Sequence, residues 1–231
     1  MPFSSFVFYL GTSIIIGAFC IAGLIFKRHH LPIEYKFILG FICSGILVSI
    51  NSALVKYGWH PFAKDISLIQ GLLYLPQYGL LCNFFLIILK QNKRIKAAKK
   101  LYAITFGLLI CITIILSFVR TPFHVQVTGN ITLIIFCIFY FDELLDDSNH
   151  SAITDSRLWI VSGMFLHCCI SLPIYGLIEF EYVNMSSVFR KNLFSISNLS
   201  LISFYLCIIK SFLLLNSKLN AAERFELAKL I

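Results

Sequence analysis

Apolar residues run along this chain in seven long blocks: Phe6–Phe26, Tyr35–Tyr57, Ile66–Leu89, Leu101–Val119, Val127–Leu145, Leu158–Ile178 and Asn192–Leu215. Short polar stretches separate them. A block of roughly 20 mostly apolar residues is what an α-helix needs to cross the hydrocarbon core of a bilayer. The fifth block is the least uniform, since it holds Gly129 and Asn130 and ends in Phe141-Asp142-Glu143. Even so, Ile131 to Tyr140 is too apolar for a loop and too long for an ordinary strand. Because the linkers are too short to fold alone, the pattern predicts an all-α, polytopic membrane protein, a seven-transmembrane-helix bundle over residues 1–215. Residues 216–231 form a short cytoplasmic tail with two readings. In the first it is an amphipathic helix, because Asn220-Ala221-Ala222-Glu223 has capping-box spacing and Leu219, Ala222, Phe225, Leu227 and Leu230 supply an apolar side. In the second it simply extends the seventh span. Met1 to Ser5 lacks the basic region and small-residue cleavage site of a secretory signal, so the first block is expected to stay in the mature protein.

Composition agrees with this picture: 58% of residues are hydrophobic and 13% charged, where a soluble domain carries about 25% charged residues. Orientation follows from basic residues in short loops, which stay on the cytoplasmic side. With the N-terminus outside, the inner segments hold thirteen basic residues and the outer ones five, Lys56, Lys64, Arg120, Arg190 and Lys191. The N-terminus is therefore expected out and the C-terminus in. The net charge of +8 is concentrated in the segment Lys90 to Lys100. There it serves as a topology determinant and a contact for anionic headgroups, at about 1 kcal/mol per residue near the surface; nucleic acid is not expected. Lys93, Arg94 and Lys96 in this loop, and Asp146 and Asp147 in the acidic inner loop that follows, are candidate partner or lipid contacts. The two loops have opposite charge, and docking of one on the other is the simplest arrangement.

All eight cysteines fall inside the blocks, where a small, soft apolar residue packs well and no loop framework for disulfides exists. His167-Cys168-Cys169 suggests a soft metal, but adjacent helical residues point about 100° apart, so no metal and no cofactor is expected. Polar residues inside a membrane span are where binding sites concentrate, because each needs a partner there. Gln70 and Gln77 share a face of the third helix, His167 and Ser171 are an i, i+4 pair on the sixth, and Ser195 and Asn198 share a face of the seventh. These six are the candidate ligand-binding patch, a small polar interior lined by helices three, six and seven. For each alone, the plain role is an interhelical hydrogen bond, worth about 0.6 kcal/mol on average.

Several classes are disfavoured by what is missing. The first four blocks and the middle of the fifth contain no Asp or Glu, so the buried carboxylates of a proton- or cation-coupled transporter have no candidates. Lys210 sits about 27 Å into an inward-running span, too deep for a retinal Schiff base, and is expected to snorkel to headgroups. Seven spans with the N-terminus out match G-protein-coupled receptors in topology alone. No His-Glu-x-x-His, Gly-x-Ser-x-Gly or Gly-rich phosphate loop occurs, and an enzyme is not expected.

The segments Tyr140-Phe141-Asp142-Glu143-Leu144-Leu145, Leu158-Trp159-Ile160-Val161-Ser162-Gly163-Met164-Phe165 and Asn192-Leu193-Phe194-Ser195-Ile196-Ser197-Asn198-Leu199 resemble small bacterial seven-transmembrane-helix proteins of unassigned activity. These are often encoded near sensor histidine kinases. The resemblance covers helices five to seven; where that group tends to have an acidic residue in helix three, this chain has Gln77. It implies a membrane sensory or accessory component. The expected function is a non-enzymatic integral membrane sensor or signalling accessory in a bacterial inner membrane, acting through its cytoplasmic loops on a cytoplasmic or membrane signalling protein. The competing class is a small-solute transporter, channel or oligomeric membrane-perturbing effector, in which copies of the chain surround a pore. A pore needs polar residues along one continuous path, through the bundle or around a symmetry axis, whereas a receptor needs a closed pocket with a lid.

Overall fold

A computed structural model describes residues 3–28, 31–56, 66–116, 123–146, 155–181 and 186–229. Among these, all regular structure is helical. The helices are α1 Phe3–Arg28, α2 Ile33–Lys56, α3 Ile66–Ile88, α4 Asn92–Leu116, α5 Phe123–Asp146, α6 Ser156–Glu181 and α7 Ser187–Lys229. The described part of each apolar block forms the core of one of them. Four contain stretches long and apolar enough to cross a membrane: Ile33–Ile50, Val125–Asp146, Ser156–Ile178 and Ser187–Ala221. Shorter apolar stretches lie at Leu10–Phe26 and Tyr74–Ile88.

Two helices run well past their apolar blocks. α4 starts at Asn92, so Lys93, Arg94, Lys96, Lys99 and Lys100 are helical and project a basic first third beyond the apolar part. α7 is 43 residues long, about 65 Å at 1.5 Å per residue, twice the thickness of a bilayer core. It continues without a break through Asn220-Ala221-Ala222-Glu223, where the cap spacing predicts the start of a separate helix.

Six helices close a ring in the order α1, α2, α3, α5, α6, α7, each packing on the next and α7 returning to α1. α4 lies outside it, against α3 and α5, and turns Ile104, Leu108 and Ile110 outward. At Gly163 the backbones of α6 and α7 come close: a Cβ there would lie 2.6 Å from Cys207 Cβ. Close approach at a small residue is a common way for helices to associate in lipid, where no hydrophobic effect drives them together.

The ring interior differs between its two halves. Toward the N-terminus of α2 it is filled by Tyr35, Ile38, Ile42, Phe85, Phe136, Phe204 and Phe212, all nearly inaccessible. Aromatic rings from α2 and α7 meet across the ring, Tyr35 edge-on to Phe212 at 5.3 Å, and Phe41 stacked on Tyr205 at 5.9 Å. The other half is hollow, with polar side chains set among a mainly apolar lining.

Candidate functional site

The hollow half contains a cavity of about 360 Å³, within the range of small-molecule pockets. All six ring helices contribute to its wall and, among the described residues, α4 does not, with Thr12, Ser49, Gln77, Asn130, His167 and Asn198 among the polar lining residues. None of the described lining residues is Asp, Glu, Lys or Arg. Gln77, His167 and Asn198 from the expected patch are therefore brought together. Ser171 sits behind the wall, accepting a hydrogen bond from Asn130 Nδ2 at 2.8 Å. Ser195 is turned away and donates to Lys191 O of its own helix at 2.9 Å, the back-bonding that short hydroxyl side chains favour in helices. Gln70 lies on α3, outside the residues whose side chains are described.

The wall is held by hydrogen bonds between helices. Tyr78 OH donates toward Gln126 O at 3.3 Å and Asn130 Oδ1 at 3.5 Å, joining α3 to α5. Asn130 then joins α5 to α6 through Ser171. On α7, Ser200 Oγ donates to Ser197 O at 2.7 Å. A hydroxyl has one proton and a carbonyl only accepts, so His167 Nδ1, 2.8 Å from Ser200 Oγ, is the donor in that contact. The neutral ring then carries an acceptor lone pair on Nε2. Its plane is 6° from that of Phe204, with centroids 6.2 Å apart. Gln126 is buried in the wall, and its Oε1 has no hydrogen-bond partner.

Sequence reasoning missed Gln126, Asn130, Tyr74 and Tyr78. The signal is present: Gln126 and Asn130 are an i, i+4 pair, as are Tyr74 and Tyr78, and each pair shares a face. Along the chain, Asn130 stands out only as a polar interruption of the fifth block. Replacing Asn130 by leucine removes its bonds to Ser171 and Tyr78. At about 0.6 kcal/mol for each such bond, the variant is expected to unfold about 1 kcal/mol more easily in detergent. An unchanged stability would remove Asn130 from the support of the wall.

At the opposite end of the bundle the oppositely charged segments meet. Arg94 Nη2 lies 2.5 Å from Asp142 Oδ2 and 2.8 Å from Asp146 Oδ2, Lys90 N donates to Glu143 Oε1 at 2.6 Å, and Gln91 Nε2 donates to Asp146 at 3.4 Å. Arg94 and Asp146 thus engage each other, whereas Lys93 and Lys96 are exposed. Asp147 lies outside the described residues. Next to this cluster Arg157 Nη2 contacts the buried Glu34 at 2.6 Å, tying α6 to α2. Tyr35 OH donates to Ser156 Oγ at 2.6 Å. Lys210 is exposed, with Nζ 5.9 Å from the centre of the Trp159 ring.

Among the described residues no group of three or more His, Cys, Asp or Glu side chains is placed to hold a metal. Cys168 is buried and its neighbour Cys169 exposed, the divergence expected of adjacent helical positions. Fold and cavity together describe an all-helical protein, with four helices long and apolar enough to cross a membrane, around a partly open and mainly apolar cavity whose described polar lining residues include no Asp, Glu, Lys or Arg. No family model, curated protein or solved structure matches the chain.

Proposed function

We propose that the chain is a multi-pass protein of a bacterial cytoplasmic membrane, with seven spans, the N-terminus outside and the C-terminus inside. In this reading it is a non-enzymatic sensor or signalling accessory. A small molecule enters the outward half, and the charged inward end contacts a cytoplasmic or membrane signalling protein. One observation carries the reading: the cavity lies in one half of the ring, and the aromatic packing of Tyr35, Phe41, Tyr205 and Phe212 separates it from the charged end. That arrangement suits a receptor; a channel or transporter whose path runs through a single bundle needs polar residues at the level those rings fill. The membrane setting is supported by apolar side chains exposed along the helices, such as Leu24 on α1, Leu47 on α2 and Leu206 on α7, which lipid would cover. Seven spans follow if the bundle is embedded whole, since α1, α3 and α4 pack side by side with the four long apolar helices. The resemblance of helices five to seven to sensor-associated proteins points the same way.

The test is recovery of the tagged protein from gently solubilised native membranes, with mass spectrometry of what accompanies it. A signalling protein that accompanies the wild type and is lost from a Lys93→Glu, Lys96→Glu variant is the expected result. Both lysines are exposed, so the variant leaves the Arg94 ion pairs intact. A wild-type protein recovered only as a homo-oligomer would overturn the proposal in favour of the pore class.

A further inference from the structure

Resting on the reading that the cavity receives a small molecule, we infer that its ligand is an uncharged hydroxy-aromatic compound, recognised by Gln126 and His167 as hydrogen-bond acceptors. Three features of the wall define that chemistry. First, with no charged residue among the described lining residues, an ionised ligand would enter a low-dielectric chamber without a counter-charge from them, which costs far more than burying a neutral polar group. Second, Tyr74, Tyr78, Tyr175, Tyr205, Phe41 and Phe204 give the chamber ring faces on several sides, a surface suited to a flat aromatic body. Third, the wall carries acceptors that need donors. Gln126 is 7% exposed; its side chain hydrogen-bonds Tyr74, but its Oε1 is unpartnered, a state that costs about 1–3 kcal/mol until a donor arrives. Its broad terminal torsion lets that oxygen turn toward a ligand O–H. His167 uses Nδ1 as donor to Ser200, so Nε2 is the second acceptor.

Size sets the scale. At about 30 Å³ for each water of liquid volume, the chamber's 360 Å³ corresponds to about a dozen water-sized groups, the bulk of a single substituted ring. A lipid tail would fill the same space but leave the amide and imidazole unsatisfied.

Three isosteric probes separate the possibilities: tyrosol, which is neutral, tyramine, which is a cation, and 4-hydroxyphenylacetate, which is an anion. Each is titrated calorimetrically into the full chain in lipid nanodiscs, with protein-free nanodiscs as the partition blank. Saturable binding of tyrosol, with both ionised probes at least about tenfold weaker, is the expected result. Gln126→Leu and His167→Phe are each expected to weaken tyrosol by about tenfold, the loss of one hydrogen bond of about 1.4 kcal/mol. A cooperative unfolding transition in each variant shows that it still folds. Equal or tighter binding of an ionised probe overturns the assigned ligand class while leaving a ligand-binding chamber in place. Tyrosol uptake that neither variant changes overturns it as lipid partition, and so does no saturable binding of any probe. The signalling reading fails separately, when the wild-type protein is recovered only as a homo-oligomer.

Discussion

Replacing Gly163 by alanine is expected to destabilise the protein by about 3 kcal/mol, although it adds a single methyl group. The new Cβ would lie 2.6 Å from Cys207 Cβ, 2.9 Å from Cys207 Sγ and 3.2 Å from Phe204 Cδ2. A sulfur can swing away by a rotamer change, but a β-carbon is fixed to its backbone, so α6 and α7 must move apart. Overpacking a tight contact costs about 1–3 kcal/mol. The upper end applies because α6 and α7 pack extensively and α7 also closes the ring on α1. Thermal unfolding in detergent measures the effect. Gly176, on the same helix, has open space where a Cβ would stand, with nothing within 4 Å, so Gly176→Ala is the control. It should be neutral or slightly stabilising, alanine being the better helix former by about 1 kcal/mol. Adding Cys207→Gly to Gly163→Ala removes the clashing β-carbon and is expected to recover much of the loss; failure to recover would mean that another contact is responsible.

The second large effect is expected at the charged end, where Arg157→Ala should cost about 3 kcal/mol. The Glu34 side chain is only 7% exposed and Arg157 Nη2 lies 2.6 Å from its Oε1. Removing one member of a buried ion pair costs about 3–5 kcal/mol, because the other charge is left without compensation. The low end applies, since the Arg157 side chain is 34% exposed and water already reaches the pair. Glu34→Gln is expected to cost less, about 1 kcal/mol, since the amide oxygen still accepts from the guanidinium and the arginine retains its access to solvent. The double variant Glu34→Gln, Arg157→Ala should be more stable than Arg157→Ala alone, because no charge remains buried. Denaturation in detergent of the three variants beside the wild type tests this order; equal stability of Arg157→Ala and Glu34→Gln would show that the carboxylate is not effectively buried.

Particular residues show how far the linear chain can be read. Gln77, His167 and Asn198 converge on the chamber, in line with their spacing on three helices. Ser195 shares a face with Asn198 by the same spacing, yet it bonds its own backbone. Periodicity tells which side of a helix a residue occupies, but whether a short hydroxyl reaches across or folds back depends on the distance to the neighbouring helix. Similarly, charge predicts the basic and acidic segments on one side of the membrane, while the contact of Arg94 with Asp142 and Asp146 requires α4 to begin at Asn92, inside a stretch whose polarity predicts a loop.

The seven helices are legible in the apolar blocks themselves, because an apolar block placed in lipid must satisfy every backbone N–H and C=O within its own segment, and that is a local requirement. Helix packing sets the rest: α4 stands outside a ring of six, α1, α2 and α5 join the cavity wall, and aromatic rings fill the opposite half. Those outcomes depend on which helix surfaces fit together, through close approaches such as Gly163 on Cys207 and bonds such as Asn130 to Ser171. The partners are distant along the chain, and no local pattern specifies them.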